Sequence, residues 1–351
     1  MEKYFVLIVC KYLIFTIQIF CLVSKFPKVI NVIYSFILLV LYQLFFSEYG
    51  NDYKVYEDFY NRLDNVYNFE SGFVLLNKYV SSLDISFVVF YTLLNSITLV
   101  ILFSFIYKRI NNVMCFIIPY TAFIFYSLQI NAIRQSIAVL IFILSIDFII
   151  KRKLLNYVFF ILIASFFHRS IFIMLPFYWV FNARNISDKY IIISFVVALS
   201  LYIFRIDIIS YPLNFILGLL NYDIILNKFD FYEVVNSLNE SFFGIGFIER
   251  IFLFIFLFYM KVNYCRNIGC NDYKNKMFLV CYVIGVLYIL FQLVFFDYNI
   301  FFQRIKFYFL PFIYLMFAIY LEKKELNNIN KNIVTAIFMS YCLANIIIKT
   351  Y

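Results

Sequence analysis

The sequence predicts an all-α polytopic membrane protein. Hydrophobic residues make up 65% of its 351 residues and charged residues 14%, whereas soluble globular chains average about 45–50% and about 25%. Several apolar runs approach or exceed the roughly 20 residues that a helix needs to cross a bilayer. Basic residues cluster in short loops at alternate breaks between these runs, which is the positive-inside pattern. We therefore expect about 12 transmembrane helices, with roughly 10–13 as the range.

Polar breaks between the apolar runs define the predicted spans. They cover about 4–24, 29–46, 86–107, 113–131, 135–150, 154–167, 171–182, 190–206, 246–262, 277–296, 301–320 and 333–348. The first run lacks the basic start and the A-x-A-like cleavage site of a signal peptide, so we expect it to be retained. The sixth and seventh runs are short, so we expect a tight hairpin, tilted or partly re-entrant, among other helices. We interpret 208–226, which contains Pro212 and Gly218, as an interfacial or re-entrant helix.

Loop charges predict the orientation of the chain. The basic loops all fall on one side if the spans alternate, and that side is the cytoplasm. Two long and predominantly acidic loops, about 47–85 and 207–245, then face the exterior. We expect one integral membrane domain over residues 1–351, in which these two loops form the substrate-facing region. None of the seven cysteines lies in an outer loop, so we expect no disulfide.

The first outer loop is rich in tyrosine. Tyr53, Tyr56 and Tyr60 follow helical spacing, which predicts an amphipathic helix at the membrane surface. Tyrosines in such a helix are typical of an aromatic belt that anchors it to the interface. Aromatic rings also stack on sugars, so both roles remain open for Tyr53 and Tyr56.

Five basic residues depart from the positive-inside rule, because they lie at predicted external ends of spans. They are Arg134, His168, Arg169, Arg250 and Arg304, and His168 is the only histidine in the chain. Ionisable groups at the membrane are costly and mark functional sites by default, although a single arginine there also snorkels to the headgroups. Several cations at one face favour an anionic ligand, and guanidinium groups bind phosphate oxygens in bidentate fashion.

This charge pattern predicts a lipid-linked pyrophosphate as the ligand. The lipid tail would lie between helices, and the charged head would lie at the outer interface. Carboxylates and tyrosines of the first outer loop suit a glycan on that head, because carboxylates hydrogen-bond hydroxyls and rings stack on sugars. A carboxylate or His168 would then act as a general base towards an acceptor hydroxyl. The alternative for His168 is a hydrogen-bonded packing residue.

Five short motifs occur in order: G-N-D-Y-K-V-Y at 50–56, F-E-S-G-F at 69–73, N-A-I-R-Q-S-I-A at 131–138, F-F-H-R-S at 166–170 and F-Q-R-I-K-F-Y-F at 302–309. Over roughly residues 30–320 the chain resembles the EpsG family of Wzy-like polysaccharide polymerases, although the loop at 207–245 shows no matching motif. The resemblance implies a glycosyltransferase of the bacterial inner (plasma) membrane that polymerises O-antigen, capsule or exopolysaccharide units on undecaprenyl pyrophosphate. It implies an active site that faces the periplasm or exterior, a fold related to GT-C glycosyltransferases and O-antigen ligases, and no metal requirement.

We assign roles to the candidate residues on this basis. Those with catalytic roles are His168, Asp52, Arg134 and Arg304, where His168 and Asp52 are the candidate bases and Glu70 is the third. Those that bind pyrophosphate are Arg134, Arg304, Arg169 and Arg250, and those that contact sugars are Tyr53, Tyr56, Glu70, Gln135 and Gln303. We expect no metal, no cofactor and no nucleic acid. The expected partners are the undecaprenyl-pyrophosphate-linked donor and acceptor, membrane lipid and a chain-length regulator.

Two rival classes remain open. An O-antigen ligase-like transferase would differ only in its acceptor, and a membrane O-acyltransferase would need its histidine near an acyl donor that arrives from inside. A flippase or transporter of lipid-linked oligosaccharides would carry charges near the bilayer midplane and interrupted helices in matching halves. The charges here lie instead at the predicted outer ends of spans.

Overall fold

The computed structural model describes residues 2–24, 26–62, 69–182, 186–208, 245–265, 272–296 and 299–348. Its regular structure is helical, and no strand occurs in these ranges. The chain divides into two compact units, which we call the first unit (Met1–Tyr178 with Tyr314–Tyr351) and the second unit (Trp179–Ile313). One integral membrane domain over residues 1–351 stays a prediction.

The first unit contains the helices before Tyr178 and the C-terminal helices. They are α1 (Glu2–Val23), α2 (Lys28–Phe46), a 3-10 turn (Ser47–Tyr49), α3 (Tyr53–Arg62), α4 (Ser71–Ser81), α5 (Phe87–Arg109), α6 (Met114–Tyr120), a π-helix (Thr121–Gln129), α7 (Ile133–Leu144), α8 (Ile146–Ile150), α9 (Leu154–Ser165) and a 3-10 helix (Arg169–Met174). The chain continues through α10 (Phe177–Asn182) into the second unit, which holds α11 (Asp188–Ile203), α12 (Ile245–Cys265), α13 (Tyr273–Val294), α14 (Asn299–Ile305) and a 3-10 turn (Lys306–Tyr308). It returns through α15 (Leu310–Glu322) to α16 (Asn328–Ile348).

Six helical stretches in the described ranges are long and apolar enough to cross a membrane. They are Val6–Val23, Lys28–Tyr49, Phe87–Arg109, Ile133–Ile150, Tyr273–Val294 and Phe302–Glu322, and Met114–Gln129 and Leu154–Ser165 are shorter apolar helices. Each predicted apolar run coincides with helical structure. The expectation of a helical, multi-pass membrane protein is therefore confirmed, and the count of about 12 spans stays a prediction.

The predicted span at 113–131 is helical, but it changes type along its length. Helix α6 contains Pro119 and passes directly into the π-helix Thr121–Gln129. A π-helix is rare and often lies at a functional site, because its wider turn shifts the side chains that follow. The segment ends immediately before the N-A-I-R motif, so it sets how that motif enters α7.

The predicted amphipathic helix in the first outer loop is α3. Its tyrosines Tyr53, Tyr56 and Tyr60 lie on one buried face, and Lys54 and Asp58 lie on the exposed face. The buried face packs into a cluster that we call the aromatic cluster. Its members are Tyr53, Tyr56, Phe59, Tyr60, Phe73, Phe87, Phe90, Tyr91 and Ile133, from α3, α4, α5 and the start of α7. This burial holds α3 and α4 against the start of α5.

In the second unit, α13 packs against both α11 and α12. The rings of Phe195 and Phe254 stack with centroids 3.6 Å apart, and Lys261 pairs with Asp188. The interfacial helix predicted at 208–226 lies almost wholly outside the described residues, as does most of the predicted loop at 207–245.

Candidate functional site

The side chain of Glu70 joins residues from three of the motifs. Its Oε2 pairs with Nη1 of Arg134, in the first turn of α7. Its Oε1 accepts the backbone N–H of Arg169 at 3.2 Å and lies 3.4 Å from Nδ1 of His168. We call Glu70, Arg134 and His168 the Glu70 cluster. A single carboxylate therefore connects the start of α4, the start of α7 and the turn after α9.

The close approach of two backbone segments brings these residues together. Gly72 donates its N–H to the carbonyl oxygen of Phe166 at 2.9 Å. A Cβ at Gly72 would lie 2.7 Å from that oxygen and 2.8 Å from Cβ of Phe166, which no ordinary side chain tolerates. The hydrogen bond also satisfies one of the N–H groups that the first turn of a helix leaves unpaired. Glycine at position 72 of the F-E-S-G-F motif therefore allows the start of α4 to pack directly against the backbone of Phe166.

Aromatic rings surround the guanidinium of Arg134. Its Cζ lies 4.3 Å from the ring centroid of Phe69 and 5.6 Å from that of Tyr56. Such contacts attract a cation to the ring face. The Arg134 side chain is 20% exposed and that of Glu70 is 9% exposed, so both charges are largely removed from water. A pair of this kind is expensive to break, because the remaining partner would be a buried and uncompensated charge.

The charge of Glu70 follows from its neighbours. Burial by itself would raise the pKa of Glu70, but the contact with His168 and the positive charge of Arg134 lower it to about 2. The carboxyl is therefore ionised at neutral pH. A carboxylate with so low a pKa is a poor general base, which disfavours the catalytic role that the sequence offered for Glu70.

His168 presents one ring nitrogen to Glu70. The distance of 3.4 Å is long for a hydrogen bond, and Nδ1 of His168 makes no other hydrogen bond to the described residues. A carboxylate beside Nδ1 favours the form in which that nitrogen carries the proton. The ring is then oriented so that Nε2 is the atom that accepts a proton or contacts a ligand.

The G-N-D motif contacts the residues that immediately precede α7, close in sequence to Arg134 of the Glu70 cluster. Asn51 donates its backbone N–H to Oδ1 of Asn131 at 3.0 Å, and a Cβ at Gly50 would lie 2.5 Å from the carbonyl oxygen of Ile130. The hydroxyl of Tyr91 donates to the same carbonyl at 2.6 Å. These contacts place Asp52, which is exposed, directly after the point where the outer loop touches the start of α7.

Comparison with known proteins shows the family to which the chain belongs. The model of the EpsG family matches residues 28–351, which include all five motifs. The chain belongs to the EpsG family. Members of this family are Wzy-like polymerases, so the resemblance that the motifs indicated is confirmed. No curated protein and no solved structure matches the chain.

The remaining site residues of this EpsG-family protein occupy different surroundings. Tyr53, Tyr56 and Gln135 are buried, and the burial of both tyrosine rings in the aromatic cluster favours the anchoring role that the sequence left open. Arg169 is exposed, and its backbone rather than its guanidinium is what contacts Glu70.

Three further candidates belong to the second unit. The guanidinium of Arg250 lies 5.0 Å from the ring centroid of Tyr202. Gln303 is exposed and accepts a hydrogen bond from Lys306, and Arg304 is exposed. That Arg250, Gln303 and Arg304 act together with Arg134 stays a prediction.

Sequence reasoning named Glu70 but missed its partners. It treated the residue as a third base and a sugar ligand, whereas the carboxylate is already engaged by Arg134 and by the turn at His168. A usable indication was present in the sequence. Glu70 stands alone between Phe69 and the glycine of its motif, without the neighbouring charges that surround Asp58 or Asp52. In the described ranges, no group of three or more His, Cys, Asp and Glu residues is arranged to hold a metal ion.

Proposed function

We propose that this EpsG-family protein is a polysaccharide polymerase that joins oligosaccharide repeat units carried on undecaprenyl pyrophosphate. The reaction takes place at the external face of the bacterial inner (plasma) membrane. The observation that carries the proposal is the Glu70 cluster, in which three family motifs converge on one charged group. Such a cluster lies at the end of an apolar helix and suits an anionic substrate that is embedded in lipid.

The reaction is a glycosyl transfer. A hydroxyl at the non-reducing end of the incoming lipid-linked unit attacks C1 of the growing chain. The bond from C1 to the pyrophosphate oxygen breaks, a new glycosidic C1–O bond forms, and the hydroxyl proton passes to the base. Undecaprenyl pyrophosphate leaves with the bonding electron pair. The transition state is oxocarbenium-like, as in other glycosyl transfers.

Arg134 stabilises the negative charge that develops on the leaving pyrophosphate. Fixed cations are effective in this role because they need no reorganisation when the charge develops. Glu70 and the ring of Phe69 hold the guanidinium in one place. A guanidinium has five N–H donors, so a bond through Nη1 to Glu70 does not exhaust them. Arg304 shares this role in the proposal, and Arg169 and Arg250 support it.

His168 is the first candidate for the base. The carboxylate of Glu70 beside Nδ1 leaves Nε2 to accept the proton of the acceptor hydroxyl, which is the division of labour in other carboxylate–histidine pairs. Asp52 is the second candidate, because it is exposed and follows the contact between Asn51 and Asn131. Gln135 and Gln303 complete the proposed sugar contacts.

In this proposal the protein has about 12 spans and a fold related to those of GT-C glycosyltransferases and O-antigen ligases. In that architecture residues 47–85 and 207–245 face the exterior. The reaction uses no metal ion, and a chain-length regulator is an expected partner. A flippase is the weaker alternative, because the Glu70 cluster lies at the start of α7 and after the end of α9 rather than in the middle of either helix.

The test is complementation of a host that lacks its own polymerase, with surface glycan examined for chain-length ladders. Arg134→Ala, Arg304→Ala and His168→Ala should each lose the ladder, and Arg134→Lys should too, because a point charge does not reproduce the guanidinium fork. Lys151→Ala, an exposed cation at the opposite end of the α8–α9 hairpin, is the matched control. Full ladders from all three alanine variants, once inserted at normal levels, would refute the assignment.

The same experiment separates a polymerase from a ligase. Loss of a polymerase leaves single repeat units attached to the surface acceptor, whereas loss of a ligase leaves none. Loss of an acyltransferase leaves the ladder intact.

A further inference from the structure

Helix α1 carries a cation inside an apolar span. Lys11 lies within the stretch Val6–Val23 and is partly buried. Its Nζ lies 5.0 Å from the ring centroid of Tyr126, and none of the ion pairs among the described residues includes it. A lysine in such a position is costly, so a compensating function is expected. The function proposed above does not use this residue.

Lys11 faces a cavity of about 250 Å³ that is separate from the Glu70 cluster. The polar residues along its wall are Lys11, Tyr42, Tyr49, Asn51, Tyr126 and Asn131. At about 30 Å³ for each molecule of liquid water, this volume is that of about eight water molecules, which is large enough for a phosphate or pyrophosphate group. The side chain of Asn131 is already engaged, because it accepts from Asn51 and donates to the carbonyl oxygen of Tyr126.

Tyr126 supplies a second polar group without a partner. Its hydroxyl is buried and makes no hydrogen bond to the described residues. A buried hydroxyl in this state costs free energy unless a ligand or water satisfies it. Tyr126 lies on the π-helix Thr121–Gln129, whose unusual winding determines the direction of this side chain. The cavity therefore combines one cation and one unpaired hydroxyl.

The helices that form this cavity also flank an apolar one. Residues of α1 and α2, with Phe26 between them, line a second cavity of about 500 Å³, and Phe20, Phe26 and Tyr34 are among them. An apolar groove between two membrane helices suits a hydrocarbon chain. Helices α1 and α2 thus contribute to one polar cavity and to one apolar cavity, which suit the charged head and the hydrocarbon chain of a lipid.

We propose that the Lys11 cavity binds a phosphate group borne by a lipid, with Lys11 as its counter-ion and the hydroxyl of Tyr126 as a hydrogen-bond donor. The choice of ligand rests on the proposed function, in which donor and acceptor are both lipid-linked and are bound at the same time. The Glu70 cluster serves one of these substrates and the Lys11 cavity the other. Lys11 lies before residue 28, where the match to the family model begins, whereas Tyr126 lies within the match.

The test measures lipid binding by native mass spectrometry on the full chain in a maltoside detergent, which contains no phosphate. The probes are undecaprenyl pyrophosphate, phosphatidylglycerol and inorganic pyrophosphate. In an Arg134→Gln background, Lys11→Gln should weaken binding of undecaprenyl pyrophosphate by about tenfold or more, since it removes a charge-assisted contact. Tyr126→Phe should weaken it by a smaller factor, and Lys11→Arg should retain most of it because a guanidinium also pairs with phosphate.

Lys151→Gln, which removes an exposed cation from the turn after α8, is the control and should bind as the parent does. Unchanged affinity of Lys11→Gln for all three probes would overturn the proposal, and so would binding of inorganic pyrophosphate without either lipid. A preference for phosphatidylglycerol over undecaprenyl pyrophosphate would overturn the assignment of this cavity to a lipid-linked substrate. Lipid binding is measured without polymerisation, so the two proposals can fail separately. If the parent forms no glycan ladder and Lys11→Gln still weakens lipid binding, only the polymerase function is refuted.

Discussion

Gly72 and Phe166 are joined by a hydrogen bond of 2.9 Å at a point where a Cβ on Gly72 would lie 2.7 Å from the Phe166 carbonyl oxygen. The contact fixes the start of α4 against the turn that follows α9. Glu70 stands two residues before Gly72, and His168 stands two residues after Phe166. The approach of two backbones therefore determines the geometry of the Glu70 cluster.

Gly72→Ala should lower both the thermal stability and the polymerase activity of the protein. The added methyl group meets backbone atoms, which cannot move aside as a flexible side chain would, so α4 must shift. We expect a cost of about 1–3 kcal/mol, as for other overpacked sites, measured as a fall in Tm in detergent. Gly246→Ala is the control, because a Cβ there would lie 3.9 Å from its nearest neighbour. Equal Tm values for the two variants would contradict the packing role.

Glu70 and Arg134 should show strong energetic coupling. Glu70→Ala leaves a partly buried guanidinium without its counter-ion, which we expect to cost about 3 kcal/mol. The double variant Glu70→Ala with Arg134→Ala should be less destabilised than the sum of the two single variants, because it leaves no unpaired charge. Urea or thermal unfolding of the four proteins measures the coupling. Additive losses would show that the two side chains act independently.

The ion pair also predicts how stability depends on pH. The folded-state pKa of Glu70 is lowered from 4.5 to about 2. A carboxyl of this kind stabilises the fold above its unfolded pKa, and the contribution is lost as the pH falls from 4.5 towards about 2. The difference in Tm between the parent and Glu70→Gln should therefore be present above about pH 5 and shrink as the pH falls below that. A difference that is unchanged at about pH 3 would contradict the assigned pKa.

Substitutions of His168 distinguish a base from a packing residue. The amide nitrogen of His168→Asn occupies nearly the position of Nδ1, so this variant should keep the contact with Glu70 and most of the thermal stability. It has no group that accepts a proton, and we therefore expect it to lose the glycan ladder. General bases typically contribute about 10²–10⁴-fold to the rate. A full ladder from stable His168→Asn would assign the base to another residue, and Asp52→Asn is the next variant to examine.

Tyr91→Phe tests the contact that positions the start of α7. The Tyr91 hydroxyl donates to the carbonyl oxygen of Ile130 at 2.6 Å in a fully buried setting. Its removal leaves that carbonyl without this donor, so we expect a loss of about 1–2 kcal/mol in the free energy of unfolding. Tyr79→Phe, at a ring that is 67% exposed, should change stability by less than about 0.5 kcal/mol. Equal effects of the two substitutions would show that the Ile130 contact is not stabilising.

Much of the helical organisation could be predicted from the sequence, because apolar run length and the charges at each end are properties of contiguous residues. The amphipathic α3 followed from the spacing of Tyr53, Tyr56 and Tyr60. The change to a π-helix after Tyr120 could not be predicted, since the Pro119 that precedes it is equally compatible with a kinked α-helix.

The helical membrane class, the family and the unusual cations Arg134 and His168 all follow from the order of the residues along the chain. What those cations contact depends on how the helices pack. Arg134 and Glu70 are 64 residues apart in the chain, and their pairing depends on the close packing of backbones at Gly72 and at Gly50. Such packing is a property of surfaces that meet only after the helices assemble. The contact of Lys11 depends on assembly in the same way. In the sequence Lys11 is an isolated charge in an apolar span, and only the packed helices place it beside the ring of Tyr126.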